Sequence, residues 1–176
     1  MKNKMMITLL AVGSALTATH AFAAAGTVNF NGNILDSACD VDMASQNQVV
    51  VLGDYYKTEF PTTGARTAAT QFNIVLKNCP VTVTNAKVRF DGTPDATNSS
   101  LLAIDSSAAG AATGVAINLM SADKADLPLH GSNSYSYVLS STADNTLSFY
   151  AQYISTAATV TAGPANSVAN FSVVYN

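Results

Sequence analysis

The chain has 176 residues, 48% hydrophobic and 11% charged, with eight basic side chains against eleven acidic ones and no tryptophan. So sparse and acidic a charge set lacks the basic patch that nucleic-acid binding requires. The length fits one domain with a real core.

The first 23 residues read as an export signal. Lys2 and Lys4 make a positive start, Met5 to Leu16 is an apolar run, and Ala21-Phe22-Ala23 is a small-x-small cleavage pattern. The run is too short to span a bilayer stably, which disfavours the alternative of an N-terminal membrane anchor. Cleavage is expected after Ala23. The two signal lysines then leave, and six basic residues face eleven acids for a net charge of −5. No later segment is long and apolar enough to cross a membrane.

"TVNFNGNI", Thr27 to Ile34, alternates as a half-buried strand does, with Val28, Phe30 and Ile34 on one face. Gly32 occupies that same face, where glycine weakens a strand and marks a close approach. Further strand-like segments follow: 47–56 ("NQVVVLGDYY"), 70–79, 81–90, 114–120, 135–140, 147–154 and 168–175. Turn-forming runs separate them, among them "PTTGAR", "DGTPDATNSS", "SSAAGAAT" and "TAGPANS". Helical periodicity is scarce. Short strands at fairly regular spacing, with Gly, Pro, Asn and Ser between them, predict an all-β sandwich.

Cys39 and Cys79 are the only cysteines. In an exported chain an even pair points to one disulfide, with two free buried thiols as the alternative. The bond would close a loop worth roughly 4 kcal/mol in the chain-entropy model.

Catalytic chemistry finds little support. His130, in the turn "LPLHGSNS", is the only histidine after the signal, so it reads as a solvent-facing loop residue. Two-histidine metal sites are excluded, and a serine triad would hang on that one residue. Asp36, Asp40 and Asp42 cluster about Cys39, and Asp123 and Asp126 share a loop. Paired acids of the kind that cleave glycosides usually come with aromatic sugar platforms, and these read instead as solvated loop and edge residues. "NSS" at 98–100 is a short glycosylation pattern of little weight. No cofactor, metal or enzymatic activity is expected.

The chain ends on "VANFSVVYN", with Phe171, Val173 and Tyr175 on one face. A long apolar strand left at a sheet edge is an aggregation hazard, so something must cover it.

At this point the chain resembles the major structural subunits of chaperone–usher fimbriae, the type 1 pilin family. The resemblance rests on "GTVNFNGNILDSAC" after the signal, the cysteine spacing, "FNIVLKNC", "SSAAGAATGVAINL", "LSFYAQY" and "GPANSVANFSVVYN". Tyr175 is penultimate and Gly163 is fourteenth from the end, as in that family.

The resemblance implies an all-β, incomplete immunoglobulin-like sandwich that lacks its final strand and is completed by a donor strand. It divides the chain into a signal peptide (1–23), a donor-strand extension (24–36) and a pilin domain (37–176). Val28, Phe30, Gly32 and Ile34 become the donor row that fills a neighbouring copy's groove, with Gly32 at a shallow point. Phe171, Val173 and Tyr175 become the groove-edge strand contacted by a periplasmic assembly chaperone, and Gly163 belongs to the same C-terminal pattern. Cys39 and Cys79 match the family's disulfide pair. The partners implied are other copies of the chain and related pilins, the chaperone, and an outer-membrane usher. The implied role is a shaft subunit exported through the periplasm to a fimbrium that supports adhesion. A minor or adaptor pilin, or a self-contained secreted β-sandwich that binds a ligand, are the rival readings.

Overall fold

The computed structural model describes residues 26–32, 34 and 38–175. The chain separates into an N-terminal unit ending at Ile34 and a body that follows it. In the first unit the described residues carry no helix or strand, and Val28, Phe30 and Ile34 are 73%, 93% and 100% exposed. A Cβ added at Gly32 would meet no atom within 4 Å. The expected signal peptide, residues 1–23, lies outside the described residues.

The described residues of the body form nine strands: β1 (Asp40–Val41), β2 (Thr70–Lys77), β3 (Asn85–Gly92), β4 (Leu102–Ala103), β5 (Val115–Met120), β6 (Asp126–Leu127), β7 (Tyr137–Val138), β8 (Asn145–Ser155) and β9 (Ala169–Tyr175). One short helix, α1 (Met43–Gln46), and a 3-10 turn (Lys57–Glu59) complete it. The larger sheet runs β1-β2-β8-β5-β4, with β6 also pairing to β5; the smaller runs β7-β3-β9. Every pairing is antiparallel.

The two sheets face one another across an apolar layer, as alternating strands require. From the larger sheet Ile74, Leu76, Leu147 and Phe149 are fully buried; from the smaller, Ala86 and Val88 meet them. Phe149 anchors an aromatic cluster with Phe72, Phe90 and Tyr137, whose ring centroids lie 5.2–5.6 Å from its own. Offset and edge-on contacts at these distances add to simple burial.

Cys39 and Cys79 are joined, with Cα atoms 4.2 Å apart. The bond ties the residue just before β1 to the segment just after β2. Tyr175 repeats that closure from the other sheet: its hydroxyl donates to the Cys39 carbonyl at 3.4 Å, and burial raises its pKa.

The expected strands at 70–79, 114–120, 147–154 and 168–175 appear as β2, β5, β8 and β9. Two others are trimmed. The strand expected at 81–90 starts only at Asn85, because Pro80 opens a turn in which Val83 N–H donates back to the Pro80 carbonyl. The strand expected at 135–140 shrinks to Tyr137–Val138. One expectation is corrected outright: 47–56 forms no strand. Its side chains alternate in exposure as a strand's would, with Val50 and Leu52 turned inward and Val49 and Val51 outward. Among the described residues, however, 48–55 have no hydrogen-bonding neighbour.

Candidate acceptor groove

The unpaired segment 48–55 forms one wall of a long groove of about 910 Å³. The opposite wall is residues 160–171, the approach to β9 and its first three residues. The floor is apolar and comes from both sheets: Phe72 and Ile74 of β2, Phe90 of β3, Ile117 and Leu119 of β5, and Tyr153 of β8. A groove this apolar exists because a sandwich needs both inner faces covered, and here one strand's width is missing between the two walls.

The walls are built differently. β9 pairs with β3 from Ala86↔Tyr175 to Gly92↔Ala169 and, among the described residues, with no other strand, so its outer edge is open there. Burial alternates strictly from Ala165 to Tyr175, with Ala169, Phe171, Val173 and Tyr175 half-buried and the residues between them exposed. Side chains aimed at a core yet only half-covered are what an absent neighbour strand leaves. Phe171 reaches the groove itself, whereas Val173 and Tyr175 pack against the core beyond its end.

Before β9 the wall belongs to the other sheet. Ala112 N–H donates to the Pro164 carbonyl at 2.9 Å, Asp105 N–H to Asn166 at 2.7 Å, and the Ser167 hydroxyl to the Ala103 carbonyl at 2.5 Å. Thr113 and Thr161 share a hydroxyl contact of 2.9 Å. Gly163 permits this approach. A Cβ there would overlap the Gly110 carbonyl oxygen and sit 2.7 Å from the Ala112 nitrogen. The sequence pattern singled out Gly163 without a reason; the structure gives it one, close backbone packing that holds the wall in place.

The far end of the groove has its own small cluster. Phe60, Ala112 and Val115 are buried there, with Tyr55, Tyr153, Val160 and Ala165 packed around them. Tyr55 meets Tyr153 edge-on at 6.1 Å, and the Tyr153 hydroxyl donates to the Ala165 carbonyl at 2.9 Å. Burial raises the Tyr153 pKa, so it stays a neutral donor.

No charged side chain occurs in 45–53, in 156–175, or in 24–34. The ion pairs lie elsewhere. Lys77 binds Asp42 at 2.7 Å, and this contact holds the Asp42 carboxyl below the ordinary range. Arg66 grips Asp126 through two 3.0 Å bonds and lowers its pKa in the same way. His130 Nδ1 lies 2.8 Å from Asp91, which Arg89 also binds. His130 is thus the turn residue the sequence implied. The acids about Cys39 are accounted for too: Asp42 also caps α1, accepting from Ala44 N–H, and Asp40 accepts from Asn78. Asp36 lies outside the described residues. Asp123 binds its own loop through Ser121 and Ala125 N–H. Among the described residues no group of three metal-ligating side chains converges.

Of the residues the sequence marked, the structure thus brings Gly163 and Phe171 to one groove wall, joins Cys39 to Cys79, and places Val173 and Tyr175 just past the groove's end. Val28, Phe30, Gly32 and Ile34 belong to the N-terminal unit. Residues of the floor and of the 48–55 wall were not marked. The run Val49-Val50-Val51 was their one available signal, and it reads equally as an ordinary strand.

The comparisons with known proteins agree with one another. The "Fimbrial protein" family model matches residues 28–176. The type-1 fimbrial protein A chain of Escherichia coli K12 is 38% identical, over 99% of this chain and 100% of its own length. The crystal structure of a Burkholderia pseudomallei antigen and type I fimbria protein is 37% identical with a TM-score of 0.61, covering 80% of this chain and 91% of that one. A subunit in the structure of a chaperone–usher pilus, described for rod uncoiling, is 27% identical with a TM-score of 0.65, covering 90% of this chain and all of that one. A β-sandwich short of one strand, with a matching sequence along nearly its whole length, makes this chain a member of the fimbrial protein family.

Proposed function

We propose that this chain is a shaft subunit of a bacterial surface fimbria, and that it polymerises by lending its N-terminal strand to a neighbouring copy. The observation that carries the reading is the groove: an apolar floor between two walls whose main-chain edges lack a partner. The segment 27–34 has the complementary character: Val28, Phe30 and Ile34, one apolar row in the sequence, are exposed in their own unit. Strand addition satisfies both at once, since main-chain hydrogen bonds supply affinity and alternate side chains supply fit.

Val28, Phe30 and Ile34 enter the groove and together contribute about 5–8 kcal/mol by burial. Hydrogen bonds along the two edges add about 1 kcal/mol each. Gly32 meets a shallow place in the floor, where a side chain would overpack. Because each copy donates in one direction and accepts in the other, the contact does not close and a filament grows.

Until the neighbour arrives, a periplasmic chaperone covers the groove and binds the β9 edge at Phe171, Val173 and Tyr175. An outer-membrane usher then presides over the exchange, and the product is an extracellular fibre that carries adhesion. The subunit's role is mechanical rather than catalytic. That role fits a molecule whose two cysteines are spent on a disulfide and whose His130 ring contacts Asp91 in a surface turn.

Deletion of residues 24–33, with the signal and both cysteines retained, tests the reading. Secreted but unpolymerised subunit is the expected result. Normal surface fibres from the shortened chain would refute it.

A further inference from the structure

The donor segment has a second face. Between its apolar residues stand Asn29, Asn31 and Asn33, so every outward position after Thr27 is an asparagine. Asn29 and Asn31 are exposed; Asn33 lies outside the described residues. On β9 the outward row reads Asn170, Ser172, Val174, with Val168 just before the strand. Asn170 and Ser172 are exposed, stand on the strand whose outer edge is open, and hydrogen-bond through their side chains to no described residue. Their neighbours across the ladder, Asp91 and Arg89, are already occupied with each other: Arg89 Nε donates to Asp91 at 3.0 Å.

We propose that the asparagine row of one copy and Asn170–Ser172 of the next form a cross-strand hydrogen-bonding ladder on the outer face of the completed sheet, and that this ladder helps select a like subunit as partner. The inference rests on the strand-donation reading above. Paired strands keep the same face in register, because side chains alternate with a period of two. A donor whose apolar row points into the groove therefore points its asparagines outward, beside the outward row of β9. Three alternate asparagines of the sequence, Asn29, Asn31 and Asn33, outnumber the two polar positions they meet. The match thus survives a register slip of one two-residue step, whichever way the donor runs. Amides and hydroxyls opposite one another hydrogen-bond without charge, so identical copies do not repel as charged rows would. Each pair is worth about 1.4- to fivefold in dissociation rate.

The experiment uses full-length processed chains. One variant combines Asn29→Asp and Asn31→Asp with Asn170→Lys and Ser172→Lys; the other carries Asp at all four positions. All four sites with known structure are exposed, so both variants keep the core intact. Fibres are assembled at low salt, and their dissociation in denaturant is timed beside wild type. The expected result is at least tenfold slower dissociation for the opposite-charge fibre than for the like-charge one, a gap that closes in 1 M salt as screening removes it. Equal rates at low salt would overturn the ladder while leaving strand donation standing. Strand donation itself fails separately, if chains lacking residues 24–33 still form fibres.

Discussion

Phe30 offers the sharpest separation between the stability of the subunit and that of the fibre. Its ring is 93% exposed in its own chain, so Phe30→Ala removes nothing from the subunit's core. A surface change of that kind leaves stability within about 0.5 kcal/mol. On the strand-donation proposal the same ring enters a neighbour's groove, whose floor carries Phe72 and Phe90. There its loss costs both transfer energy and a cavity, about 3–5 kcal/mol for a Phe→Ala change. At 1.4 kcal/mol per factor of ten, the fibre interface weakens by roughly two to three and a half orders of magnitude. Thermal unfolding of the free subunit measures the first quantity, and dissociation of assembled fibres in guanidinium, followed by light scattering, measures the second. The expected outcome is an unmoved thermal midpoint with fibre dissociation at least a hundredfold faster. Wild-type fibre lifetimes, or a large fall in the subunit's own midpoint, would show that Phe30 serves its own fold and not a neighbour's.

Gly163→Ala drives a methyl group into the Gly110 carbonyl and is expected to cost about 3 kcal/mol. That is a midpoint lower by roughly 6–12 °C in a domain this size, read by calorimetry. Replacing Cys39 and Cys79 together with serine releases a 40-residue separation and is expected to cost about 2–4 kcal/mol, seen as a lower urea midpoint with a steeper slope, because the unlinked denatured chain exposes more surface. The acid limb of stability follows from Asp42 and Asp126, whose carboxyls are held below the ordinary range by hydrogen bonds from Lys77 and Arg66. A depressed carboxylate stabilises above its unfolded pKa, and that contribution disappears as pH falls through the folded value. The thermal midpoint is therefore expected to fall below about pH 4, and Asp42→Asn flattens the fall; a midpoint flat down to pH 2 in the wild type refutes the assignment.

Much of the body is legible in the residues alone. β2, β5, β8 and β9 announce themselves because each is long enough to show several apolar residues between turn-formers. β4 and β6 do not, since two residues carry no period, and their pairing to β5 depends on what lies beside them. The segment 47–56 is the instructive miss. Its alternation says that one face turns inward, which holds at Val50 and Leu52. Whether it is a strand depends on a neighbour, and strand pairing is a relation between segments that no one segment encodes. The disulfide falls in between: composition favoured a bond, while only the folded body brings the ends of β1 and β2 close enough to make one.

The residues by themselves determined the alphabet of this molecule: alternating segments, charge-free stretches at 24–34 and 156–175, one cysteine pair, and an apolar row interrupted at Gly32. Only the tertiary structure decided that 48–55 and β9 stand one strand apart over an open floor, and that Gly163 is small because Gly110 is near. Alternation is a local property, written two residues at a time. A groove is an absence between segments over a hundred residues apart in the chain, and it exists only once everything around it has packed.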